Sequence, residues 1–470
     1  MSETITRRNF LKSIGLGSAM VALRLDGLSA SSERTKPNII FILADDLGYG
    51  DLGCYGQKKI LTPNIDALAA EGMRFTNCYA GSTVCAPSRS VLMTGQHTGH
   101  TTVRGNTCKR GGIVQDKRRR VNLTDEDVTV AHVLRRAGYR TGLVGKWHLG
   151  GYDPTAGPLD RGFDEFYGWL TINLATELPH LYYPAKRYRN RVLYEVKGNQ
   201  QGKRGYYHTD ICTDEAIAFI KNNKAGPFFL DLSYVNPHSP YLAPSHGAYA
   251  DKPWSKDQKT YAAMISYLDN CVGRLMQTLK GEGLEKDTIV FFASDNGPRS
   301  SGSTKQTAVV KFFDSNGPLR GYKRDMYEGG IRVPMIVRWP DKVPKNKTDD
   351  TLWYFADFLP TAAALAGAHT PENIDGINLL PTLLGKNPKM PDRFLYWEFF
   401  ERGFQQAVRW RNWKAIRLKQ GAALKLYDLS NDVSEAHDVA AQHAQIVAKI
   451  EDYLKTARTE SPYWPIKNDE

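Results

Sequence analysis

Cys85-Ala86-Pro87-Ser88-Arg89, followed by Leu92-Met93-Thr94-Gly95, sets a small, nucleophile-sized side chain directly before a helix that a proline starts. The first amides of a helix lack intrahelical partners, and the helix dipole adds positive potential there, so this place attracts anions. Pro87 has no N–H to leave unpaired at the first helical position. The amides of Ser88 and Arg89 are therefore expected to face whatever charge Cys85 carries or receives. Chemistry on an oxyanion suits such a place.

The other reactive residues share one placement. Asn38 to Ala44 (NIIFILA) is a continuous apolar run of strand length, of the kind buried on both faces of a parallel sheet, and Asp45-Asp46 follow at once. Tyr139 to Val144 leads into Gly145-Lys146-Trp147-His148, Pro227 to Val235 into Asn236-Pro237-His238, and Asp287 to Ala293 into Ser294-Asp295-Asn296-Gly297. Each motif alone reads equally well as a capping turn or a packed corner. In an open α/β sheet, however, ligands bind at the carboxyl edge of the strands, and a shared position there argues against accident. Helices are expected after Thr62-Pro63, over Thr129 to Ala137, and over Asp214 to Asn222.

With 470 residues the chain suits a large α/β domain plus a smaller one. The expected fold is a large, mostly parallel mixed sheet sandwiched by helices, with a smaller C-terminal antiparallel sheet packed by a helix. Aromatic-rich segments at Phe394 to Phe399, Ala407 to Trp410 and Trp413 to Leu418 form that sheet, and Ala444 to Thr456 its helix. The division reads as a signal segment over 1–30, a catalytic domain over 31–370 and a C-terminal subdomain over 371–470. Thr6-Arg7-Arg8-Asn9-Phe10-Leu11-Lys12 ahead of a short apolar stretch resembles a twin-arginine export signal, implying the export machinery as partner and a periplasmic or extracellular product. No apolar run is long enough for a stable membrane span.

Formal net charge is +12, and loss of residues 1–30 would leave about +10, which favours anionic substrates. Nucleic acid would have its best support in Lys117-Arg118-Arg119-Arg120, but a four-residue run in a polar stretch reads better as a solvated loop. Six cysteines without a C-x-x-C pair exclude a disulfide scaffold and a zinc knuckle.

Taken in order, Asp45-Asp46, Cys85-x-Pro87-Ser88-Arg89 with Thr94-Gly95, Gly145-Lys146-Trp147-His148, Pro237-His238, Asp295-Asn296-Gly297 and Gly321-Tyr322-Lys323 before Glu328-Gly329-Gly330 resemble the formylglycine-dependent sulfatases of the alkaline phosphatase superfamily. Near the site the resemblance is to the arylsulfatase A and N-acetylgalactosamine-6-sulfatase branch. It implies that a formylglycine-generating enzyme oxidises Cys85 to an aldehyde whose hydrate keeps a second hydroxyl to expel sulfate, which a serine nucleophile could not do. It implies that Asp45, Asp46, Asp295 and Asn296, with residue 85, hold a divalent metal, calcium by the all-oxygen shell and magnesium as the alternative.

By the same resemblance Arg89, Lys146 and Lys323 grip sulfate oxygens, His148 assists proton removal at residue 85, and His238 protonates the departing alcohol. His97 and His100 follow the nucleophile helix without a matching family role and, with Arg104, are placed at the substrate rim; Leu170 to Tyr207, rich in Tyr, Arg and Lys, reads equally as a pocket wall for a sugar and as a surface insertion. Gln96 departs from the family pattern, where many relatives carry an arginine. The implied function is hydrolysis of sulfate esters of a sulfated saccharide. The alternatives are a phosphonate monoester or phosphodiester hydrolase of the same superfamily, and a sulfated-glycan binding protein in which Cys85 stays a thiol.

Overall fold

A computed structural model describes residues 36–466 apart from 109, 116–117, 152–155, 171–180 and 301–303, so the segment over 1–30 lies outside the described residues. Ten strands form the main sheet: β1 Asn38–Asp45, β2 Met73–Phe75, β3 Arg140–Lys146, β4 Glu165–Trp169, β5 Lys186–Arg189, β6 Val192–Glu195, β7 Phe228–Pro237, β8 Thr288–Ser294, β9 Met335–Arg338 and β10 Lys347–Asp349. Their spatial order is β10-β2-β9-β8-β1-β7-β3-β4-β5-β6. The centre, β8-β1-β7-β3-β4, is parallel, and antiparallel pairs extend it on both sides. This is the mixed α/β sheet that the alternating apolar runs predict.

The side-chain period of two sends β1 into two cores. Ile39, Phe41 and Leu43 enter one, with α2 (Cys85–Thr94), α3 (Val130–Arg136) and α7 (Phe358–Ala366). Ile40, Ile42 and Ala44 enter the other, with α1 (Pro63–Ala70), α4 (His208–Asn223) and α5 (Lys256–Gly281). The sixth helix, α6, spans Thr304–Phe312. Full burial of β1 on both faces explains why its run is continuously apolar rather than alternating. The 26-residue α5 has no counterpart among the sequence expectations. Its start carries a capping box, in which Ser255 accepts from the Gln258 amide while the Gln258 side chain accepts from the Ser255 amide.

The C-terminal sheet is a meander of β11 Phe394–Phe399, β12 Gln405–Trp410, β13 Trp413–Arg417 and β14 Lys425–Asp428. One face (Leu395, Trp397, Phe399) joins the first core. The other (Tyr396, Val408, Ala415, Leu426) is covered by α8 (Ala444–Leu454) through Ile450 and Leu454. No helix among the described residues is long and apolar enough to cross a membrane.

A buried ionic cluster ties this sheet to the main domain. Lys414 Nζ on β13 lies 3.0 Å from Glu328 Oε1 and 3.3 Å from Glu435 Oε1, all three side chains being fully buried. Glu328 Oε2 accepts from Tyr79 Oη at 2.7 Å and pairs with Arg332 at 3.3 Å. Burial opposes ionisation of Glu328, but Lys414, Arg332 and Arg409 outweigh it and hold the carboxyl down to about 2. Removing one partner of such a buried set leaves an uncompensated charge. Lys414→Met is expected to destabilise the protein by about 3 kcal/mol or more, read as a lower midpoint in chemical denaturation; an unchanged midpoint would remove the cluster from the stability of the interface.

Candidate active site

Four adjacent parallel strands, β8, β1, β7 and β3, end at one edge of the sheet, and each delivers reactive side chains there. Because Ala44 pairs with Ser294, Asp45-Asp46 and Asp295-Asn296 emerge side by side. His238 follows β7, and Lys146 and His148 come from the end of β3. Asp46 (φ 66°) and His148 (φ 65°) hold left-handed backbone conformations, uncommon for non-glycine residues and frequent at functional sites. Gly145 (φ 110°) permits the turn into Lys146, since a Cβ there would lie 1.9 Å from Ser233 O.

Helix α2 begins at Cys85, not at Pro87. The Ser88 amide accordingly donates to Val84 O at 3.3 Å within the first turn, and the Ala86 amide donates to Asn106 Oδ1 at 2.9 Å. The expectation of free Ser88 and Arg89 amides aimed at Cys85 is thus corrected: the proline sits inside the first turn. Cationic side chains, not backbone N–H groups, make this place attractive to anions.

Those side chains form a compact lattice. Lys323 Nζ donates to Asp46 Oδ1 and lies 3.1 Å from Cys85 Sγ. Lys146 Nζ lies 2.7 Å from Asp45 Oδ2, and Cys85 Sγ is 3.7 Å from Asp45 Oδ1. Arg89 donates through Nε (3.0 Å) and Nη2 (2.8 Å) to Asp295 Oδ2, and through Nη1 to Lys146 O at 3.0 Å. Asn296 Nδ2 donates to Asp46 Oδ1 at 2.8 Å, and His238 Nε2 lies 3.7 Å from Asp46 Oδ2. Every one of these side chains is buried. Lys323 is held from behind: its amide donates to Pro298 O, and Gly297 lets the two loops meet backbone to backbone, its amide donating to Gly330 O.

Burial works against each charge, and the neighbours decide the outcome. For Asp45, burial is outweighed by Lys146, His238, Arg89 and Lys323, which hold the carboxyl well below the usual range. Asp46 is lowered too, against burial and chiefly by Lys323. Asp295 is raised to about 6 by burial and then by the Asp45 charge. Burial raises the Cys85 thiol, which is therefore un-ionised and a poor nucleophile as it stands. Burial also lowers His238 to about 4, despite Asp46 and Asp45, and His148 well below its ordinary value. His238 Nδ1 faces Ser239 O, which fixes its tautomer with Nε2 toward the carboxylates. His238 therefore rests neutral in this arrangement, and an entering anion would have to favour its protonated form.

Two oxygens, Asp46 Oδ2 and Asn296 Oδ1, are buried without a hydrogen-bond partner. Asp45, Asp46 and Cys85 each offer a ligand atom, all within 4.8 Å of one another. Orphaned oxygens among carboxylates are what a hard divalent cation completes, so the residues present fit an oxygen-ligated metal.

Above the lattice opens a cavity of about 440 Å³, lined at its floor by Cys85, Lys146, His148, His238 and Lys323. Its wall departs from the sequence expectations in three ways. Arg104 does not line it, being buried beneath an ion pair with Glu398 (3.1 Å) and bonded to Thr459 O (2.9 Å). His100 is drawn away by Asp375, 3.0 Å from its Nδ1, and stacks on His97. Within Leu170 to Tyr207, residues 171–180 lie outside the described residues, and Tyr182 and Tyr207 are buried together instead of lining the cavity. Tyr182 Oη serves the site indirectly, donating to the backbone O of His238 and Val235.

The aromatic wall comes from Phe400, Tyr463 and Trp464, which sequence reasoning missed. The basic run is also more than a solvated loop. Lys117 lies outside the described residues, but Arg118–Arg120 pairs with Ile113–Gln115 as a hairpin, Arg118 and Arg120 line the cavity, and buried Arg120 places Nη1 3.2 Å from His148 Nε2. All six cysteines are free.

The family model described as Sulfatase matches residues 37–368, and that described as N-sulphoglucosamine sulphohydrolase, C-terminal, matches residues 321–460. The chain is 31% identical to N-acetylgalactosamine-6-O-sulfatase of Bacteroides thetaiotaomicron, over 90% of this chain and 93% of that one. It is 33% identical to human N-acetylgalactosamine-6-sulfatase, over 76% of this chain and 68% of that one. The crystal structure of Ps i-CgsB in complex with k-i-k-neocarrahexaose superposes with a TM-score of 0.78 at 33% identity, covering 92% of this chain and 95% of that one.

A cation that binds the folded lattice and not the unfolded chain must stabilise the fold. Adding calcium or magnesium to metal-stripped protein is expected to raise its melting temperature by a few degrees, and Asn296→Ala should lose that gain. Calorimetry showing no shift with either ion would remove the metal from this site.

Proposed function

The chain belongs to the sulfatase family, as a type I member of the alkaline phosphatase superfamily and a sulfuric ester hydrolase, and from that premise we propose that it releases inorganic sulfate from a sulfated carbohydrate through residue 85 in its formylglycine form. The observation that carries this reading is the convergence of Asp45, Asp46, Cys85, Asp295 and Lys323 beneath one cavity. Relatives named for N-acetylgalactosamine 6-sulfate, and a structural neighbour bound to a neocarrahexaose, support a saccharide substrate. Formylglycine supplies, as its hydrate, one hydroxyl to take the sulfuryl group and a second to release it. The divalent cation, for which the all-oxygen shell favours calcium, would be held by Asp45, Asp46, Asp295 and Asn296 and would supply Lewis-acid stabilisation of negative charge.

The chain's own residues do the rest. Three buried carboxylates face three buried cations, Arg89, Lys146 and Lys323, so the lattice is close to neutral by itself. Two added positive charges would turn it into a trap for an anionic ester. Lys323 and Lys146, already beside residue 85, then stabilise charge that builds on the sulfate oxygens as sulfur becomes five-coordinate. His148 takes up a proton at residue 85 once its Nε2 is released from Arg120, whose guanidinium can only donate to it. His238 Nε2 delivers one to the sugar oxygen, which as an alkoxide leaves poorly, and the negative ester beside it raises its proton affinity from the low resting value. The twin-arginine-type segment supports export to the periplasm or beyond, after maturation by a formylglycine-generating enzyme in the cytoplasm.

Cys85→Ala is expected to abolish sulfate release with the fold intact, while peptide mass spectrometry of the active protein should find residue 85 as the aldehyde. A wholly thiol residue 85 with sulfate release at background would leave a binding protein instead. His238→Ala should slow sugar sulfates by about a hundredfold or more and activated aryl sulfates much less, because a good leaving group needs no proton; equal losses would reject its acid role. A panel of defined sulfated saccharides, with phosphonate esters alongside, names the sugar, and dominant phosphonate turnover would overturn the sulfatase reading.

A further inference from the structure

The cavity floor accounts for one sulfate, yet the wall holds cationic groups beyond what one sulfate needs. Arg118, Arg120, Arg299 and Arg324 line it, and Glu401 is the one carboxylate among the described lining residues. Arg120 is engaged with His148, and Arg299 donates through Nη1 to Ser239 Oγ at 2.7 Å.

Arg324 is different. It directly follows Lys323 and holds φ +77°, a conformation that must be imposed on a non-glycine residue. Its amide donates to Thr83 O at 3.0 Å, which fixes the backbone. Its Nε donates to Glu401 Oε2 at 3.2 Å, while Nη1 and Nη2 have no partner among the described residues. The side chain is about one-third exposed, against 12% for Glu401. Glu401 is itself anchored, its Oε1 accepting the Asn106 amide at 3.1 Å, and Asn106 Oδ1 accepts the Ala86 amide beside Cys85. The guanidinium is therefore steered by a carboxylate that is tied to the nucleophile helix, with its two terminal nitrogens left for a ligand. Arg118, exposed on the hairpin, adds a charge that no carboxylate matches among the described residues. The hairpin end and the C-terminal segment meet on this wall: a Cβ on Gly111 would lie 3.0 Å from the Tyr463 ring.

We propose that Arg324, oriented by Glu401 and joined by Arg118, is a second anion station in the cavity, so that the preferred saccharide carries a further acidic group close to the sulfate being removed. The inference rests on the sulfatase reading above and adds a substrate class to it. A sulfate ester and a uronic carboxylate share the chemistry that a planar guanidinium fork recognises.

The test measures kcat/KM for sulfate release from three matched saccharides: one sulfated sugar with a neutral neighbour, the same sugar with a second sulfate ester, and the same sugar beside a uronic acid. The wild-type protein is expected to prefer at least one dianionic substrate by about tenfold or more, the scale of a charge-assisted hydrogen bond, and to lose part of that preference at high salt. The preferred arm identifies the source of the anion. In Arg324→Gln the ratio should fall toward one, Arg324→Lys should retain part of it, and Glu401→Gln should fall between. Should Arg324→Gln not fold, Arg118→Gln on the exposed hairpin carries the same comparison. A wild-type ratio near one on both arms, or a ratio unmoved by Arg324→Gln and Arg118→Gln, would overturn the proposal with the sulfatase reading intact. Absence of sulfate release from every saccharide and from aryl sulfates would instead overturn that underlying reading.

Discussion

The constraint on which the structure depends is the burial of three carboxylates and three cations at the end of one sheet. Desolvating ionised groups costs several kcal/mol apiece, and only close mutual pairing offsets it. Asp45 survives as a carboxylate because Lys146 lies 2.7 Å away, and Asp295 is gripped by two nitrogens of Arg89. The balance is nevertheless incomplete, since Asp46 and Asn296 each leave an oxygen unsatisfied. A lattice that pairs well enough to fold, yet retains orphaned oxygens and a raised Asp295, is poised for one more positive ligand.

Such a lattice can only be assembled by elements rigid enough to hold charges at fixed separations. Strand ends provide that: β1 is buried on both faces, and the register that pairs Ala44 with Ser294 leaves no freedom in how Asp45-Asp46 meets Asp295-Asn296. Arg89 comes from helix α2, and Lys323 arrives on a loop. The rigidity of Lys323 is borrowed from the C-terminal sheet, through Lys414 and Glu435 on Glu328 at the end of that loop. Gly297 completes the arrangement by letting the Asp295 loop touch the backbone of Gly329, and Gly330 lets the Lys323 loop close on its own Asp325, in both places where a Cβ would collide. The smaller sheet thus acts on the chemistry without supplying a group to the floor of the site.

How much of this could be read in the chain follows from what sets each feature. The central strands β1, β3, β7 and β8 were legible because double burial writes an uninterrupted apolar run, and Asp45, Asp46, Lys146, His148, His238, Asp295 and Asn296 because they directly follow such runs; the parts of Arg89 and Lys323 came from the resemblance. The start of α2 was misplaced by two residues, since a proline is tolerated throughout the first turn and does not mark its first position uniquely. The 26-residue α5 went unread although its capping box is present in Ser255 and Gln258. Arg120 was hidden in a basic run whose composition is that of a solvated loop; only the hairpin shows that alternate members turn inward. The aromatic wall was assigned to the wrong segment, because tyrosine-rich composition does not distinguish rings that stack on one another, as Tyr182 and Tyr207 do, from rings that face a cavity. Tyr463 and Trp464 carry no local signal at all. Their position is set by tertiary bonds, Trp464 Nε1 to Thr102 O at 2.9 Å and Arg458 to Trp464 O at 3.0 Å.

That contrast separates reaction from selectivity. The floor is built by register and strand order, quantities that a parallel sheet transmits over long stretches of sequence, so a family match at about one-third identity carries it. The wall is built by a short hairpin, the residue after Lys323, and a C-terminal segment held by a few hydrogen bonds, none of which the sheet dictates. The wall meets the lattice through the Glu401–Asn106–Ala86 bonds, the Arg120–His148 contact and the Arg299–Ser239 bond, so a change in a wall side chain leaves the pairs of Asp45, Asp46 and Asp295 with Lys146, Lys323 and Arg89 in place. The lattice at the strand ends therefore carries the reaction, and the sugar must be read from the wall of this chain.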